Sequence, residues 1–431
     1  MVNERRWLAL IFAFYFLLAF GYSLLMPIWE APDEPAHYHM AWHLVRYGEY
    51  QTVETNYEAH QPRGFYYLAA GIIRALNEVD PELTRYRRPD EYPFTIRKPE
   101  RRFDWNDSNY RPLWGVYVLR WVNMGFGGIA LGLHWKTFKR ISPEKSTLRL
   151  AALALTGLTP QYLHIMSAVN NDALGTMAGA LLFYLAVRIP RGSPAWLTAV
   201  SMPLALVLPF VTKLSVLPVS AAVLLTLFWK WFSGRMQKRL FISAVLLMVL
   251  GAVMASLLFP GVIRTAVHEI EWRLLSFRDN AFTRDYLEFI TSQIVWTYWA
   301  KVGWLAVGPP PWMIHLLTTL GIGGIFLYAY RLLLSRSQHA NIHGWIVVGL
   351  VAALTLLAVF RNGLTTRATQ GRLLFPGGGA LSLWIVAGWH EVLPQRFQHF
   401  LPAIVILFLV ACNIVLWLTG VLPIYYQSFL D

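Results

Sequence analysis

Cysteine is nearly absent: Cys412 stands alone, so no intramolecular disulfide can staple the chain, and cysteine usage says nothing of redox compartment. Charge is scarce too, at 14% of residues, and acidic charge scarcer still, with 24 Asp and Glu against 37 Lys and Arg. Soluble domains carry about a quarter charged residues, so an ordinary water-soluble fold is excluded. The chain also lacks a P-loop, a Gly-rich dinucleotide turn, Cys/His zinc spacing and any visible internal repeat. After Asn3-Glu4-Arg5-Arg6 comes an apolar run too long for a typical signal-peptide core, with no small-x-small cleavage site behind it. It reads as an uncleaved first span with a cytoplasmic N-terminus.

What is abundant is apolar. Hydrophobic residues make up 56% of the 431, and apolar runs of about 17 to 25 residues, long enough to cross a bilayer, recur along the chain. They lie at Trp7 to Met26 and at about 113–133, 148–165, 172–188, 195–211, 214–232, 240–260, 312–334, 344–360, 373–390 and 399–420. The expected fold is therefore an all-α polytopic membrane protein, with about eleven transmembrane helices in a single transmembrane domain over residues 1–431. With the N-terminus inside, the loops at 134–147, 189–194, 233–239, 335–343 and 391–398 are cytoplasmic, and their flanks are rich in Lys and Arg. That is the positive-inside pattern, and it accounts for much of the net charge of +13 without a nucleic-acid partner.

The acidic residues gather elsewhere. Residues 27–112 form a long first external loop that holds 14 of the 24 acids. Two amphipathic stretches in it, roughly Pro35 to Tyr47 and Phe65 to Asn77, are expected to be interfacial helices. From Asp80 to Tyr110 the composition is irregular. A second large external segment spans 261–311. Within it, Trp296 to Trp312 reads as an interfacial or re-entrant segment.

The densest group of titratable residues follows the first span: Glu30, Asp33, Glu34, His37, His39 and His43. Pro32 and Pro35 bracket Asp33 and Glu34 and restrain their backbone at the entrance of a helix, where the dipole favours an ionised carboxylate. Rigid acids at a membrane surface suit glycosyl or phosphoryl transfer; an acidic N-cap before an interfacial helix is the plainer reading. The three histidines do not share one helical face, which counts against a metal site. External cations run against the topological bias: Lys213, Arg361, Arg367, Arg372 and several in 261–311. An anionic ligand would explain them, since Arg forks grip phosphate; pairing with the acidic loop is the alternative. Asp172, after Ser167-Ala-Val-Asn-Asn, is expected to cap the next span.

Ala31-Pro-Asp-Glu-Pro-Ala-His37, His60-Gln-Pro with Tyr66-Tyr67, Asn170-Asn-Asp172, Lys301-Val-Gly-Trp304 and Gly371-Arg-Leu-Leu-Phe-Pro376 occur in this order across almost the whole chain. Together they resemble the GT-C class of polytopic glycosyltransferases, and within it a bacterial family of largely uncharacterised members. Arg63-Gly64 and Leu373 depart from that pattern, which leaves acceptor specificity open. The resemblance implies a polyprenyl-phosphate-linked sugar donor and a glycan, lipid or protein acceptor on the external face of the bacterial cytoplasmic membrane. It implies a catalytic base at Asp33 or Glu34, with Asp33 favoured and Glu34 supporting, orienting the acceptor or a divalent metal ion. Arg372, Arg367 and Lys213 would meet the donor phosphate, and Glu30, His37, His60, Tyr66, Tyr67, Asp172 and Lys301 would line the substrate site. No buried ion pair is expected of Asp33. A flippase of lipid-linked sugars and a non-catalytic membrane scaffold are the competing classes. A flippase would place charge at mid-membrane depth in broken helices.

Overall fold

The computed structural model describes residues 3–76, 114–189, 195–234, 242, 245–246, 260–334 and 342–426. Among these the chain is helical, and its sole extended pairing is an isolated bridge between Val302 and Val307. The helices are α1 (Glu4–Leu25), α2 (Glu34–Tyr47), α3 (Gly64–Leu76), α4 (Trp114–Ile141), α5 (Ser146–Leu158), α6 (Pro160–Met166), α7 (Asp172–Arg188), α8 (Ala195–Val211), α9 (Leu217–Phe232), α10 (Pro260–Leu275), α11 (Arg284–Trp299), α12 (Pro311–Leu334), α13 (Ile342–Thr365), α14 (Gly378–Val392), α15 (Gln395–Gln398), α16 (Leu401–Leu416) and α17 (Leu422–Tyr425). Short 3-10 turns at Tyr57–His60, Leu214–Val216 and Gly371–Gly377 carry several of the residues singled out above.

Among the described residues six helical stretches are long and apolar enough to cross a membrane: Glu4–Leu25, Trp114–Ile141, Leu214–Phe232, Pro311–Leu332, Ile342–Thr365 and Leu401–Tyr425. This is an integral membrane protein. The remaining expected spans fall on shorter helices, most of the run at 240–260 lies outside the described residues, and so does the irregular stretch from Asp80 to Tyr110. Proline interrupts two of these runs. Pro160 lacks an N–H and pushes Thr159 to an extended ψ of 127°, so the run at 148–165 becomes α5 and α6. The run at 373–390 opens instead as a 3-10 turn containing Pro376 before α14 begins.

The core forms around α5, buried on every side from Leu148 to Leu158 and packed by α1, α4, α14 and α16. Small residues let helices approach closely. A Cβ at Gly388 of α14 would lie 1.9 Å from the carbonyl oxygen of Gly324 in α12. At one end of this bundle α2 and α3 pack on each other through Tyr38, Met40, Phe65, Tyr66 and Ala69, forming a smaller apolar cluster with Val116 and Leu119 of α4. That cluster fixes the loop between α1 and α2 over the ends of α4 and α7.

Candidate active site

The loop between α1 and α2 is backbone-strained. Trp29 and Asp33 have φ of 73° and 64°, left-handed values that cost a non-glycine residue about 1–3 kcal/mol. Asp33 occupies the N-cap position of α2, but its side chain caps nothing. It points instead to the 3-10 turn and to the far end of the sequence: the Tyr57 hydroxyl donates to Oδ1 at 3.1 Å, and Arg372 Nη2 donates to Oδ2. Asp33 therefore carries a partly buried ion pair that was not assumed from sequence, because Arg372 is folded back over it.

Arg372 is seated by two glycine contacts. The Gly371 N–H donates to Thr297 Oγ1 at 2.6 Å, and a Cβ at Gly371 would lie 2.2 Å from the carbonyl oxygen of Ile294. On the other side a Cβ at Gly179 of α7 would lie 2.4 Å from the Pro376 carbonyl oxygen. The Gly-Arg-Leu-Leu-Phe-Pro motif is thus wedged between α11 and α7, with its guanidinium aimed at two carboxylates. Arg372 Nη1 is 3.6 Å from Asp172 Oδ2, and Lys213 Nζ is 2.8 Å from Asp172 Oδ1. Asp172 does not cap α7 as expected. Asn170 Oδ1 accepts from the N–H groups of Asp172 and Ala173 at 2.9 and 3.2 Å, which leaves the Asp172 carboxylate for the cations.

Asp33, Asp172, Lys213 and Arg372 thus form one buried cluster of two carboxylates and two cations. Pairing with the acidic loop, the plainer explanation of the cations, is realised for Arg372. Yet the pairing is incomplete: Arg372 Nε and Nη1 and Asp172 Oδ2 are buried and make no hydrogen bond.

A third carboxyl, Glu58, joins from the turn Tyr57–His60. Its Oε2 lies 4.0 Å from His37 Nε2, and His37 Nδ1 meets the Tyr66 hydroxyl at 2.8 Å. Burial, reinforced by the Asp33 charge, lifts Glu58 to about 8. Burial, together with the nearby Lys213 and Arg372 charges, drops His37 to about 3. Burial would also raise Asp33, but the surrounding cationic groups, Arg372 foremost, together outweigh it and hold Asp33 below its usual range. At neutral pH the cluster therefore contains an ionised Asp33, a protonated Glu58 and an uncharged His37. Two carboxyls with pKa values pushed apart are the arrangement for separate base and acid roles.

Glu34 turns the other way. It forms a fully buried ion pair with Arg120, Nη2 to Oε2 at 2.6 Å, and so does not meet the expectation of a residue open to an acceptor or an ion. Four other expected residues also sit apart from the cluster. Arg367 is exposed. Tyr67 is exposed while its neighbour Tyr66 is buried. Glu30 accepts from the Tyr425 hydroxyl at 3.2 Å. Lys301 donates its backbone N–H to Gln161 at 2.7 Å and stands over the Trp296 ring at 5.9 Å. His60 borders the cluster through Gln61, which in turn accepts from Asn171 at 3.3 Å. Among the described residues no three His, Cys, Asp or Glu side chains converge as metal ligands. Asp33 and Asp172, the acids nearest to such a role, are matched here by Arg372 and Lys213.

Tyr57, Glu58 and Arg120 were not singled out by sequence. Arg120 carries a usable signal, a lone charge in an apolar run. Glu58 carries none, because its burial arises only when the 3-10 turn folds onto α2.

The helical arrangement is GT-C-like. Over 97% of this chain and 73% of theirs it superposes, at TM-score 0.52 and 13% identity, on ArnT from Cupriavidus metallidurans bound to undecaprenyl phosphate. The apo state of that ArnT gives 0.51 at 12% identity, over 91% of this chain and 61% of that one. The archaeal oligosaccharyltransferase AglB from Archaeoglobus fulgidus, in complex with an inhibitory peptide and a dolichol-phosphate, gives 0.50 at 12% identity, over 99% of this chain and 56% of its own. No family model matches the sequence, and no curated protein matches it.

Proposed function

We propose that the protein is a glycosyltransferase of the bacterial cytoplasmic membrane that works at the periplasmic face. It would move a sugar from a polyprenyl-phosphate-linked donor to a glycan, lipid or protein acceptor. The observation that carries this reading is the buried cluster at one end of a GT-C-like bundle, where Arg372 faces Asp33 and Asp172 with hydrogen-bonding capacity left over. The excess of Lys and Arg in the loops expected to be cytoplasmic supports the sidedness.

The reaction is a single displacement. The acceptor hydroxyl gives its proton to Asp33 while its oxygen attacks the anomeric carbon. The bond from that carbon to the phosphate oxygen breaks with inversion, and the polyprenyl phosphate leaves as an anion held by Arg372 and Lys213. Donor binding also prepares the base. A phosphate that draws the Arg372 guanidinium onto itself removes the charge that holds Asp33 low, and Asp33 becomes a stronger proton acceptor.

The test is mass spectrometry of envelope glycans and lipid-linked sugars in cells with the intact protein, without it, and with Asp33→Asn. Loss of one glycan with accumulation of its lipid-linked sugar, in the null and in Asp33→Asn alike, is the expected result. Unchanged glycans in the null, or full complementation by Asp33→Asn, would sink the reading.

A further inference from the structure

The Glu34–Arg120 pair lies outside the reacting cluster, yet it touches two of the segments that build it, the Asp33 loop and the Asp172 turn. Arg120 is completely buried in α4, and each of its five N–H groups has an acceptor. Nε donates to Glu34 Oε1 at 2.8 Å and Nη2 to Glu34 Oε2 at 2.6 Å. Nη1 donates to the carbonyls of Ser23 and Met26 at 2.7 and 2.8 Å, and Nη2 also to that of Pro27 at 3.1 Å. These carbonyls end α1, where a cation is favoured by the helix dipole. The remaining lone pairs of Glu34 take backbone N–H groups from two loops: Trp29 at 3.0 Å and Val169 at 2.9 Å.

Those two loops are the ones that matter. Trp29 and Asp33 are the strained residues of the first loop, and Glu34 is bonded in sequence to one and by hydrogen bond to the other. Val169 lies in the turn that delivers Asp172. One carboxylate therefore fixes the Asp33 loop against the Asp172 turn, and one guanidinium fixes both against the end of α1. A pair placed only for stability has no need of this arrangement, because a buried ion pair of similar shape to apolar residues adds little to stability.

We propose that Glu34 and Arg120 form a positioning clamp, which sets the separation of Asp33 and Asp172 and so the shape of the space into which Arg372 projects. The proposal rests on the glycosyltransferase reading for its effect on turnover. For its effect on the loops it rests on geometry alone.

The experiment uses the full chain in lipid nanodiscs and the double variant Glu34→Leu/Arg120→Met, an apolar pair of comparable volume. Hydrogen exchange is read over residues 27–36 and 167–172, undecaprenyl phosphate serves as the binding probe, and turnover is followed as sugar transfer. The expected result is a folded variant with faster exchange in both segments, undecaprenyl phosphate affinity within about threefold of wild type, and turnover lowered about 10- to 100-fold, the effect of misplacing reacting groups by about an ångström. Native exchange in either segment, or turnover within about twofold of wild type, overturns the clamp. If the double variant does not insert, Arg120→Lys answers the same question, since it keeps the charge and loses the fork. Wild-type exchange and turnover in Arg120→Lys would overturn it equally. A wild-type protein that neither binds undecaprenyl phosphate nor transfers sugar defeats the glycosyltransferase reading instead, and the exchange measurement then decides the clamp by itself.

Discussion

Asp33 and Glu34 are adjacent, carry the same functional group and end in opposite situations. Glu34 is sealed, with all its lone pairs taken by Arg120 and two backbone amides. Asp33 shares its guanidinium partner with Asp172, and that guanidinium keeps buried N–H groups without acceptors. A saturated buried network rigidifies, whereas one with unused donors and acceptors is ready for a ligand. The difference separates scaffold from site within a single dipeptide. The ways to test it differ in how directly they reach the reacting atoms.

The largest effect is expected at Asp33. Asp33→Asn keeps the shape and removes the base, so turnover should fall by roughly 10²–10⁴. Because Arg372 loses one buried partner and keeps Asp172 at 3.6 Å, the melting temperature should fall as well. Single-turnover sugar transfer with the purified variant checks the first, and a thermal melt the second. Near-normal turnover in Asp33→Asn would remove Asp33 from the chemistry.

Arg372 follows. Arg372→Ala should lower transfer by roughly 10²–10³ and weaken donor binding, while Arg372→Lys should recover only part because the planar fork is lost. Steady-state measurements across donor concentrations separate the two effects. If neither kcat nor KM moves in Arg372→Ala, the phosphate is held by other groups.

Much of this contrast was legible before the structure, and the illegible part has a definite cause. The Pro-bracketed acids, the Asn170-Asn-Asp172 turn and the Gly-Arg-Leu-Leu-Phe-Pro motif could each be marked in the sequence as chemically unusual. Which way each carboxylate points could not, because the partners are remote. Asp33 meets Arg372 across 339 positions and Glu34 meets Arg120 across 86. The dipeptide itself holds no trace of that choice. Arg120 was recoverable, since a charge inside an apolar run needs a partner and the acidic loop is the nearest source. The helix break at Pro160 was recoverable too, from the missing N–H. Glu58 was not, because a 3-10 turn of four residues has no periodicity to read.

A smaller perturbation moves Arg372 without altering it. In Gly371→Ala the new methyl must displace the Ile294 carbonyl or shift the motif away from α11. Overpacking of this kind costs about 1–3 kcal/mol, and a shift would carry the guanidinium off the Asp33–Asp172 axis. Transfer should fall about tenfold, with donor KM raised more than kcat is lowered. Gly71→Ala, at a position with open space around it, is the control and should match wild type. Equal behaviour of the two variants would mean that the close approach at Gly371 does not aim Arg372.

The smallest effect concerns Glu58 and is visible only as a change in pH dependence. Glu58 faces Asp33, Asp172, Lys213, Arg372 and His37, and burial with the Asp33 charge places its pKa at about 8. Below that value it is a neutral acid that can donate a hydrogen bond; above it, it ionises beside Asp33. A second negative charge there opposes both the departing phosphate and any phosphate entering the cluster. Transfer by the wild type should therefore decline as pH rises through about 8, with kcat/KM reporting the free enzyme. Glu58→Gln keeps a neutral donor of the same length and cannot ionise. At pH 7 it should stay within a few-fold of wild type, and its alkaline decline should disappear or move upward. An unchanged alkaline limb in Glu58→Gln would assign that limb to another group. Loss of activity at every pH would give Glu58 a role as a proton carrier, which a glutamine cannot fill.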